Sequence, residues 1–494
     1  MTNPDPEHVR VAIIGTGFAG LGAAIELQAA GVDHLVLERA ADLGGTWRDN
    51  TYPGCRCDVP SHLYSFSFAP NPEWSETYSP QPEILEYLRR TAERTGVVDR
   101  IRFGAEVRSA TWDGDASHWR LDTARGPLTA DVVVLGNGPL AEPAIPDLPG
   151  LASFAGTMFH SATWRHDHDL TGDRVAVIGT GASAIQFVPE IQPRVRQLTL
   201  FQRTPPWVLP HGNRRITRAE RAVYRRFPVV QRLVRGVVYW SRELFVSGLL
   251  RNTKTLERVE GLAHRHLRKQ VADPELRRKI TPDYRPGCKR LLLSNEYYPA
   301  LQQPNVDLVT EKIVEVTPTG LVTADGVSHQ VDTIIFGTGF HVTDNPVGDR
   351  VQGTDGRTLA AHWRETGAQA YLGSTVPAFP NLFLLAGPNT GIGHTSLVVM
   401  IEAQLAYVLD ALRTMDRTGA HRVEVKRPVF EAWSNEIQRK ASRTVWNTGG
   451  CASWYLDAEG RNTTLWPDHT FRFVRRTRRF DAHRYELAGT GRAR

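Results

Sequence analysis

The sequence is poor in cysteine, with four in 494 residues: Cys55, Cys57, Cys288 and Cys451. Four cysteines are too few for a disulfide framework and are typical of proteins in a reducing compartment, so we expect free thiols and a cytoplasmic location. The first two form a C-x-C pair, which is neither a C-x-x-C redox dithiol nor part of a four-ligand zinc pattern. We expect no metal site at 166–168 (HDH) either, because neighbouring histidines in a polar linker seldom bind a metal tightly.

Long apolar runs are also absent. No segment reaches the ~18 consecutive apolar residues of a membrane-spanning helix, so no transmembrane segment is predicted. The longest apolar stretch, residues 228–250, is interrupted by Arg232, Arg235 and Arg242, which predicts a helix that is soluble or lies on a surface. The first eight residues are polar and contain two prolines, and they resemble neither a signal peptide nor a transit peptide.

Excess charge is confined to two segments. The formal net charge is +6, with 59 Lys and Arg against 53 Asp and Glu. Residues 211–280 carry 18 basic against 6 acidic side chains, and residues 471–494 carry 8 against 2, which leaves the other 400 residues at −12. Because the basicity is local and the rest of the chain is acidic, the sequence predicts no nucleic-acid partner.

A glycine-rich turn joins a strand to a helix at the start of the chain. Residues 9–38 predict a strand, a helix and a second strand, at 9–15, 21–30 and 34–38. The turn has the pattern G-x-G-x-x-G, formed by Gly15, Gly17 and Gly20. Such glycines allow a tight turn, close approach of a pyrophosphate and close helix–strand packing, while Glu38 at the end of the second strand can bind a ribose diol. The unit predicts a dinucleotide site.

A second unit of the same kind begins near residue 174. Strands are predicted at 174–178 and 197–202, with a glycine-rich turn between them formed by Gly179, Thr180, Gly181, Ala182, Ser183 and Ala184. This unit has no acidic counterpart of Glu38 at the end of its second strand, and Arg203 and Thr204 follow that strand instead. An arginine can pair with a ribose 2′-phosphate that an acid would repel, so this unit favours NADPH; an incidental surface arginine is the alternative.

The order of these units predicts the architecture. Further strands ending in glycine are expected at 131–136, 331–337 and 381–387. We predict an α/β fold with two Rossmann-like dinucleotide-binding domains: an FAD-binding domain at 1–150 and 332–494, interrupted by an NADPH-binding domain at 151–331. Residues 211–282 are rich in helix formers and predict a helical insertion; a solvated helix face is favoured there over a membrane surface or an acidic partner.

Residues 154–164 carry the motif F-x-G-x-x-x-H-x-x-x-W. The motif lies between the two glycine-rich turns and resembles the fingerprint of type I Baeyer–Villiger monooxygenases. The next residue, Arg165, departs from the usual proline or aspartate and is similar to the pattern of flavin-containing monooxygenases that oxidise nitrogen and sulfur. Oxidation of a ketone and oxidation of an amine or sulfide are therefore both compatible with this segment.

Three further segments strengthen the resemblance to Baeyer–Villiger monooxygenases, which extends over about residues 9–470. The first combines Gly44-Gly45-Thr46-Trp47 with Tyr52-Pro53-Gly54 and Asp58, the second combines Lys289-Arg290 with Tyr297-Tyr298, and the third is Ser453-Trp454-Tyr455. The resemblance implies FAD and NADPH as cofactors, a ketone and O2 as substrates, and an ester or lactone as product through a C4a-peroxyflavin. An N- or S-oxygenating enzyme is the alternative. A reductase that passes electrons to a disulfide is disfavoured because the C-x-x-C is missing.

The resemblance also implies roles for particular residues. Arg290 would be catalytic, since a cation that keeps its proton can stabilise a negatively charged addition intermediate, and Asp58 would orient it. His160 and Trp164 would couple domain movement to catalysis without performing chemistry. FAD contacts are expected at Gly15, Gly17, Gly20, Glu38, Gly45, Thr46, Trp47, Asp58, Tyr64, Val107 and Leu397. NADP contacts are expected at Arg56, Cys57, the turn from Gly179 to Ile185, Arg203, Thr204, Lys289, Arg290 and Trp454, which would close over the ribose.

Overall fold

The apolar run at the start of the chain forms a strand buried in the middle of a sheet. The computed structural model describes residues 6–251 and 254–489, so the first five residues of the polar N-terminus and the last five of the arginine-rich tail lie outside it. The first part of the chain contains the strands Glu7–Ile14 (β1), His34–Leu37 (β2), Ile101–Arg102 (β3), Val107–Asp113 (β4), His118–Thr123 (β5) and Gly126–Leu135 (β6). Its helices are Phe18–Ala29 (α1), Thr46–Asp49 (α2) and Gln81–Thr95 (α3).

The middle of the chain contains most of the short strands. These are Thr157–His160 (β7), Arg174–Ile178 (β8), Gln197–Phe201 (β9), Val208–Leu209 (β10), Leu292–Leu293 (β11), Val306–Val309 (β12), Ile313–Thr317 (β13), Gly320–Thr323 (β14), Ser328–Gln330 (β15) and Thr333–Phe336 (β16). The helices are Ala184–Ile191 (α4), Arg218–Arg226 (α5), Pro228–Arg251 (α6), Lys254–Gln270 (α7), Pro274–Lys279 (α8) and Tyr297–Ala300 (α9). The expected insertion is thus helical, and β10 and β11, which flank it, pair in parallel.

The last part of the chain is mainly helical. Its strands are Val351–Gln352 (β17), Leu382–Leu384 (β18), Ala420–Val425 (β19) and Tyr485–Gly489 (β20). Its helices are Leu359–Thr366 (α10), Leu397–Thr418 (α11), Arg427–Ala441 (α12), Val445–Thr448 (α13) and Thr470–Thr477 (α14). In the described ranges, no helix is long and apolar enough to cross a bilayer.

Two sheets organise the fold, as the α/β prediction required. One is mixed, with the strand order β17-β4-β5-β6-β1-β2-β3 and β18 paired with β6. The other has the order β12-β9-β8-β16-β7, and every pair in it is parallel. Strands from the last part of the chain return to the first sheet, which is the topology of one dinucleotide-binding fold interrupted by another.

The predicted division at residues 331 and 332 falls just before β16. That strand pairs with β7 and β8, so it lies in the second sheet. The return to the first sheet begins with β17, which pairs with β4. The division of the chain into folding units stays a prediction, because sheet membership alone does not define a unit that folds independently.

Candidate active site

The first glycine-rich turn forms a cradle in which side chains have no room. Gly15 has φ +99°, and a Cβ on Gly20 would lie 1.8 Å from the carbonyl oxygen of Gly15. Helix α1 follows with Gly17 at its N-cap, and no side chain of the described residues caps it. Its free N–H groups and the positive end of its dipole are therefore available to an anion such as a pyrophosphate. The loop fits a dinucleotide.

Glu38 lies at the end of β2, beside this turn, and its carboxylate is buried. It accepts hydrogen bonds from the backbone N–H of Thr16 at 3.0 Å, from the N–H of Ala40 at 2.9 Å and from Nη1 of Arg48 at 3.0 Å. These donors hold the carboxylate in one orientation beside the turn. Sequence analysis predicted Glu38 but not Arg48, whose proximity arises only when α2 folds against β2.

Gly45, Thr46 and Trp47 form the second wall of this cradle. The Cα of Gly17 lies 3.0 Å from where a Cβ of Gly45 would stand, so the two glycine backbones approach closely. The indole Nε1 of Trp47 donates to the Tyr64 hydroxyl at 3.0 Å. The described contacts therefore bring Gly17, Gly45, Trp47 and Tyr64 together, as expected for one cofactor site.

Leu397 and Val107 occupy the ends of two elements of the first fold. Leu397 is the first residue of α11, behind the N-cap Ser396, whose hydroxyl accepts from the N–H of Val398. This helix packs beside α1, where Leu405 approaches Gly22. Val107 opens β4, and its carbonyl accepts a hydrogen bond from Arg350 at 3.0 Å. FAD contacts at Leu397 and Val107 stay predictions, since they depend on the bound cofactor.

The second glycine-rich turn repeats the geometry of the first with one change. Gly179 has φ +109°, and a Cβ there would lie 2.5 Å from the carbonyl oxygen of Gly337. Helix α4 begins at Ala184, which replaces the third glycine and packs against Gly337 without overlap. The Thr180 hydroxyl donates to the carbonyl of Thr204 at 3.1 Å, which joins the turn to the segment after β9.

Two cations lie together beyond this turn. Lys289 is half-buried, and its pKa is lowered by burial and by the nearby charge of Arg203. Arg203 is exposed directly after β9, at the carboxyl end of the parallel sheet where ligands of such folds bind. Two like charges held together repel each other, and a bound phosphate would relieve that repulsion. This arrangement suits a ribose 2′-phosphate.

Replacing Arg203 or Lys289 by alanine is expected to raise KM for NADPH about tenfold to a hundredfold each, since a hydrogen bond between charged groups contributes ~1.5–3 kcal/mol. KM for NADH should hardly change, because NADH has no 2′-phosphate. Arg196→Ala is the matched control: this exposed arginine precedes β9, at the end of the strand opposite to Arg203. Equal losses with NADPH and NADH would contradict the assignment.

The loop after α2 links the two folds. Gln186 of α4 accepts from the Tyr52 hydroxyl at 3.1 Å and from the N–H of Arg56 at 3.2 Å, and it donates to the Arg56 carbonyl. The guanidinium of Arg56 pairs with Glu76 at 3.1 Å. The thiol of Cys57 is buried, so NADP is expected to reach this residue through its backbone.

Arg290 and Asp58 form a bidentate ion pair between the two folds. Nε and Nη2 of Arg290 donate to the two carboxylate oxygens of Asp58 at 2.5 and 2.7 Å. The neighbours of Asp58 in sequence, Cys57 and Val59, are buried. Because side chains alternate along this loop, the Asp58 carboxylate faces away from the core. Each side chain keeps about a third of its surface exposed. The predicted catalytic pair therefore meets across 232 residues of sequence in a position open to a ligand.

The charges of this pair stabilise each other. Burial would raise the pKa of Asp58, but the charge and hydrogen bonds of Arg290 hold it below its usual value. The charge of Asp58 in turn raises the pKa of Arg290. Because the pKa of Asp58 is depressed, the stabilisation by the pair is present above the ordinary aspartate pKa and is lost as pH falls through the depressed value. The pair is therefore intact at neutral pH.

The C-terminal loop reaches the same arginine. The guanidinium of Arg290 donates to the carbonyl of Ile392 at 3.4 Å, and Tyr455 lies close enough for the charge of Arg290 to act on its hydroxyl. Tyr455 is buried, and burial raises its pKa to about 12. Trp454 stands beside it with about half of its side chain exposed, so closure of Trp454 over a bound ribose stays a prediction.

A disulfide joins Cys288 to Cys451. The expectation of four free thiols is therefore wrong for this pair, while Cys55 and Cys57 are free and buried. The two bonded cysteines are 163 residues apart in sequence, and only the fold brings the segment before Arg290 against the loop before Trp454. The bond ties the C-terminal loop to the segment that carries Arg290.

Reduction of this disulfide, or Cys288→Ser, is expected to loosen the loop at 451–455, because a cross-link that limits local opening is removed. Limited proteolysis within this loop should become at least about tenfold faster. Cys55→Ser is the control and should leave the cleavage rate unchanged. Thiol titration of the denatured protein, after purification under oxidising conditions and without reductant, should give two thiols; four would contradict the pairing.

The F-x-G-x-x-x-H-x-x-x-W segment forms β7 and the turn after it. A Cβ on Gly156 would lie 2.2 Å from the carbonyl oxygen of Asp332, which explains the glycine. The buried His160 accepts from the N–H of Ala162 through Nδ1, and burial lowers its pKa to about 4. Trp164 packs on Phe159 and Phe187, with ring centroids 5.1 and 5.3 Å away. These contacts lie within the second fold, and the coupling role of His160 and Trp164 stays a prediction.

The polar residues that follow are engaged with one another. Arg165 is exposed and forms a bidentate pair with Asp167 at 2.6 and 2.8 Å. His168 contacts Asp173 and Thr333 at 2.9 Å. Within residues 6–251 and 254–489, no group of three or more His, Cys, Asp or Glu side chains is arranged to hold a metal ion.

Comparisons with known proteins identify the family of this chain. The family model described as flavin-binding monooxygenase-like matches residues 8–351. A Baeyer–Villiger monooxygenase of Streptomyces coelicolor is 54% identical over 97% of this chain and 93% of its own length. Another, from Pseudomonas aeruginosa, is 52% identical over 99% of this chain and 94% of its own length.

Solved structures show the same fold with the cofactors bound. Cyclohexanone monooxygenase from Rhodococcus sp. Phi1, bound to NADP+, has a TM-score of 0.87 and 29% identity over 98% of this chain and 100% of that chain. A structure of OTEMO in complex with FAD and NADP has a TM-score of 0.88 and 29% identity, with the same coverage.

Proposed function

Since this chain belongs to the flavin-binding monooxygenase family, as a Baeyer–Villiger monooxygenase, we propose that it inserts one oxygen atom of O2 beside the carbonyl carbon of a ketone. The products are an ester or lactone and water, and NADPH supplies the electrons. The observation that carries the proposal is the bidentate Arg290–Asp58 pair between two dinucleotide-binding folds.

FAD, when bound and reduced by NADPH, supplies the activation of dioxygen. The first glycine-rich turn and the free N-terminus of α1 would bind its pyrophosphate, and Glu38 would bind its ribose. Trp47, Tyr64 and Leu397 would pack against the cofactor. The second turn, with Arg203 and Lys289, would bind NADP through its phosphates.

Arg290 stabilises the negative charge that develops on the ketone oxygen when oxygen adds to the carbonyl carbon. Its guanidinium stays protonated throughout, because its pKa is raised by Asp58. Asp58 is a positioning residue: its two oxygens hold the planar guanidinium in one orientation, and the Ile392 carbonyl restricts it further. A fixed charge aimed at the developing oxyanion needs little reorganisation during the reaction.

The loop that carries Trp454 and Tyr455 would exclude water. Tyr455 already contacts Arg290, and the disulfide at Cys451 anchors the start of the loop. Closure of Trp454 over NADP would keep the cofactor in place while oxygen is transferred, which limits wasteful release of hydrogen peroxide.

Oxygenation of amines or sulfides is less well supported as the main activity. The pattern at Trp164-Arg165 favoured it, but Arg165 is exposed and bonded to Asp167, and the similar proteins named above are Baeyer–Villiger monooxygenases. Incubation with one ketone and one sulfide, followed by quantification of ester and sulfoxide, separates the two activities. Sulfoxide without ester would overturn the proposal.

We place the enzyme in the cytoplasm, which supplies NADPH. In that reducing compartment the bond between Cys288 and Cys451 is expected to be reducible. Alkylation of whole cells before lysis, followed by mass analysis, would report how much of the pair is oxidised in place.

A further inference from the structure

One side of helix α6 is attached to the rest of the protein through polar and apolar side chains. Arg235 donates to the carbonyls of His62 and Ser65 at 2.8 and 2.9 Å, and Gln231 donates to the carbonyl of Asn71. Glu243 is buried and contacts Nδ1 of His469 at 3.0 Å. Val230, Val234 and Val238 pack against the core on the same side, so the inward contacts of α6 are both polar and apolar.

The side of α6 that faces outward is apolar. We call it the α6 outer face, and it consists of Val229, Leu233, Val237, Trp240 and Leu244, each 55–76% exposed. At ~100° per residue these positions fall within an arc of about 80°, and at ~1.5 Å per residue they extend over about 22 Å. A water-exposed helix normally has a single apolar stripe, which faces inward, whereas α6 has a second one that faces outward. This continuous apolar stripe indicates a surface that contacts something apolar.

The surroundings of the α6 outer face are basic and aromatic. Phe227 precedes the helix and is exposed, and Phe471 of α14 lies 6.0 Å from Trp240 between ring centroids. Exposed arginines lie on the helix itself, on the end of α5 and on α14, at Arg232, Arg225, Arg226, Arg472 and Arg475. Apolar side chains with a tryptophan, bordered by arginines, are the composition of helices that lie in the interface of an anionic bilayer.

We propose that the α6 outer face binds the surface of a membrane that contains anionic lipids, with the helix lying parallel to the bilayer. The charge pattern favours this partner over a second copy of the chain, because two copies joined through the α6 outer face would bring their arginine borders together. The bilayer provides both the apolar layer for the exposed stripe and the negative headgroups for its border. Binding would be peripheral and reversible.

Flotation of the FAD-containing protein with vesicles tests this inference. Protein should float with vesicles of phosphatidylcholine and phosphatidylglycerol in equal amounts, float less with phosphatidylcholine alone, and dissociate from the anionic vesicles as salt is added. Leu233→Glu combined with Val237→Glu should lower the partition coefficient at least about a hundredfold, since two apolar side chains are lost from the lipid contact. Flavin absorbance then confirms that the variant is folded.

Matched controls are available elsewhere on the surface. Ile145 and Val327 are exposed to 49% and 47%, so Ile145→Glu combined with Val327→Glu adds the same charge outside the α6 outer face and should leave flotation unchanged. No flotation of the unaltered protein, or equal flotation of both double variants, would overturn the proposal. Light scattering tests the second-copy alternative. If the unaltered protein is a dimer that does not bind vesicles, and Leu233→Glu combined with Val237→Glu dissociates it, the α6 outer face binds a second copy and the membrane proposal is overturned. None of these results depends on turnover of a ketone.

Discussion

Arg290→Ala is expected to lower ester formation about a hundredfold to a thousandfold, the range found when one stabilising donor to an oxyanion is removed. NADPH should still be consumed, because the two glycine-rich turns, Arg203 and Lys289 still bind the phosphates of the cofactors, and the electrons should appear as hydrogen peroxide. The measurement is ester formed and peroxide released per NADPH consumed, with flavin absorbance to confirm bound FAD. Arg290→Lys should recover only part of the activity, since an ammonium group cannot form the bidentate pair with Asp58.

The control for this experiment is Arg174→Ala. Arg174 also forms a bidentate pair, with Asp332 at 2.7 and 3.0 Å, but it lies at the start of β8. Its loss should leave the ratio of ester to NADPH unchanged. A normal ester yield from Arg290→Ala, or an equal loss in Arg174→Ala, would show that Arg290 has no special role in the reaction.

Gly20→Ala is expected to produce protein with little bound FAD. The added Cβ would lie 1.8 Å from the carbonyl oxygen of Gly15, so α1 or the turn must move. Such overpacking typically costs ~1–3 kcal/mol, which weakens FAD binding about tenfold to a hundredfold if the turn deforms. The ratio of flavin to protein absorbance after purification measures the effect, and titration with FAD gives the affinity.

Gly22→Ala is the matched control on the same helix. Its Cβ would meet the ends of two side chains, Leu405 and Phe66, at 3.0 Å, and side chains can adjust more easily than a backbone carbonyl. FAD content should therefore be close to that of the unaltered protein. Full FAD occupancy in Gly20→Ala would contradict the close helix–strand packing described for the first turn.

The two dinucleotide-binding units were predictable because their residues are local in sequence. A buried apolar strand, a glycine pattern and a helix within about thirty residues leave few alternatives for the backbone. β8 has the predicted bounds, Arg174–Ile178, and β1 and β2 differ from prediction only at their ends. The pair of Arg290 and Asp58 joins distant segments, and its prediction depended on the resemblance of the surrounding motifs to a known family.

Other features arise only from tertiary structure. Arg48 reaches Glu38, and Gln186 reaches Tyr52 and Arg56, through contacts for which the sequence has no periodic signal. The disulfide was missed because the reasoning used the number and spacing of cysteines, whereas pairing depends on which loops meet. In α6, apolar residues are interspersed with arginines, and the sequence could not reveal which side would face the protein.

The most direct test of the account is a single turnover experiment in which the purified enzyme, with FAD and NADPH, converts a cyclic ketone under ¹⁸O2. Mass spectrometry of the product measures both its identity and its isotope content. The account predicts a lactone that carries one ¹⁸O atom as its ring oxygen, with the carbonyl oxygen unlabelled. NADPH consumption that yields an alcohol, or a lactone without the label, would contradict the assignment of this chain as a Baeyer–Villiger monooxygenase.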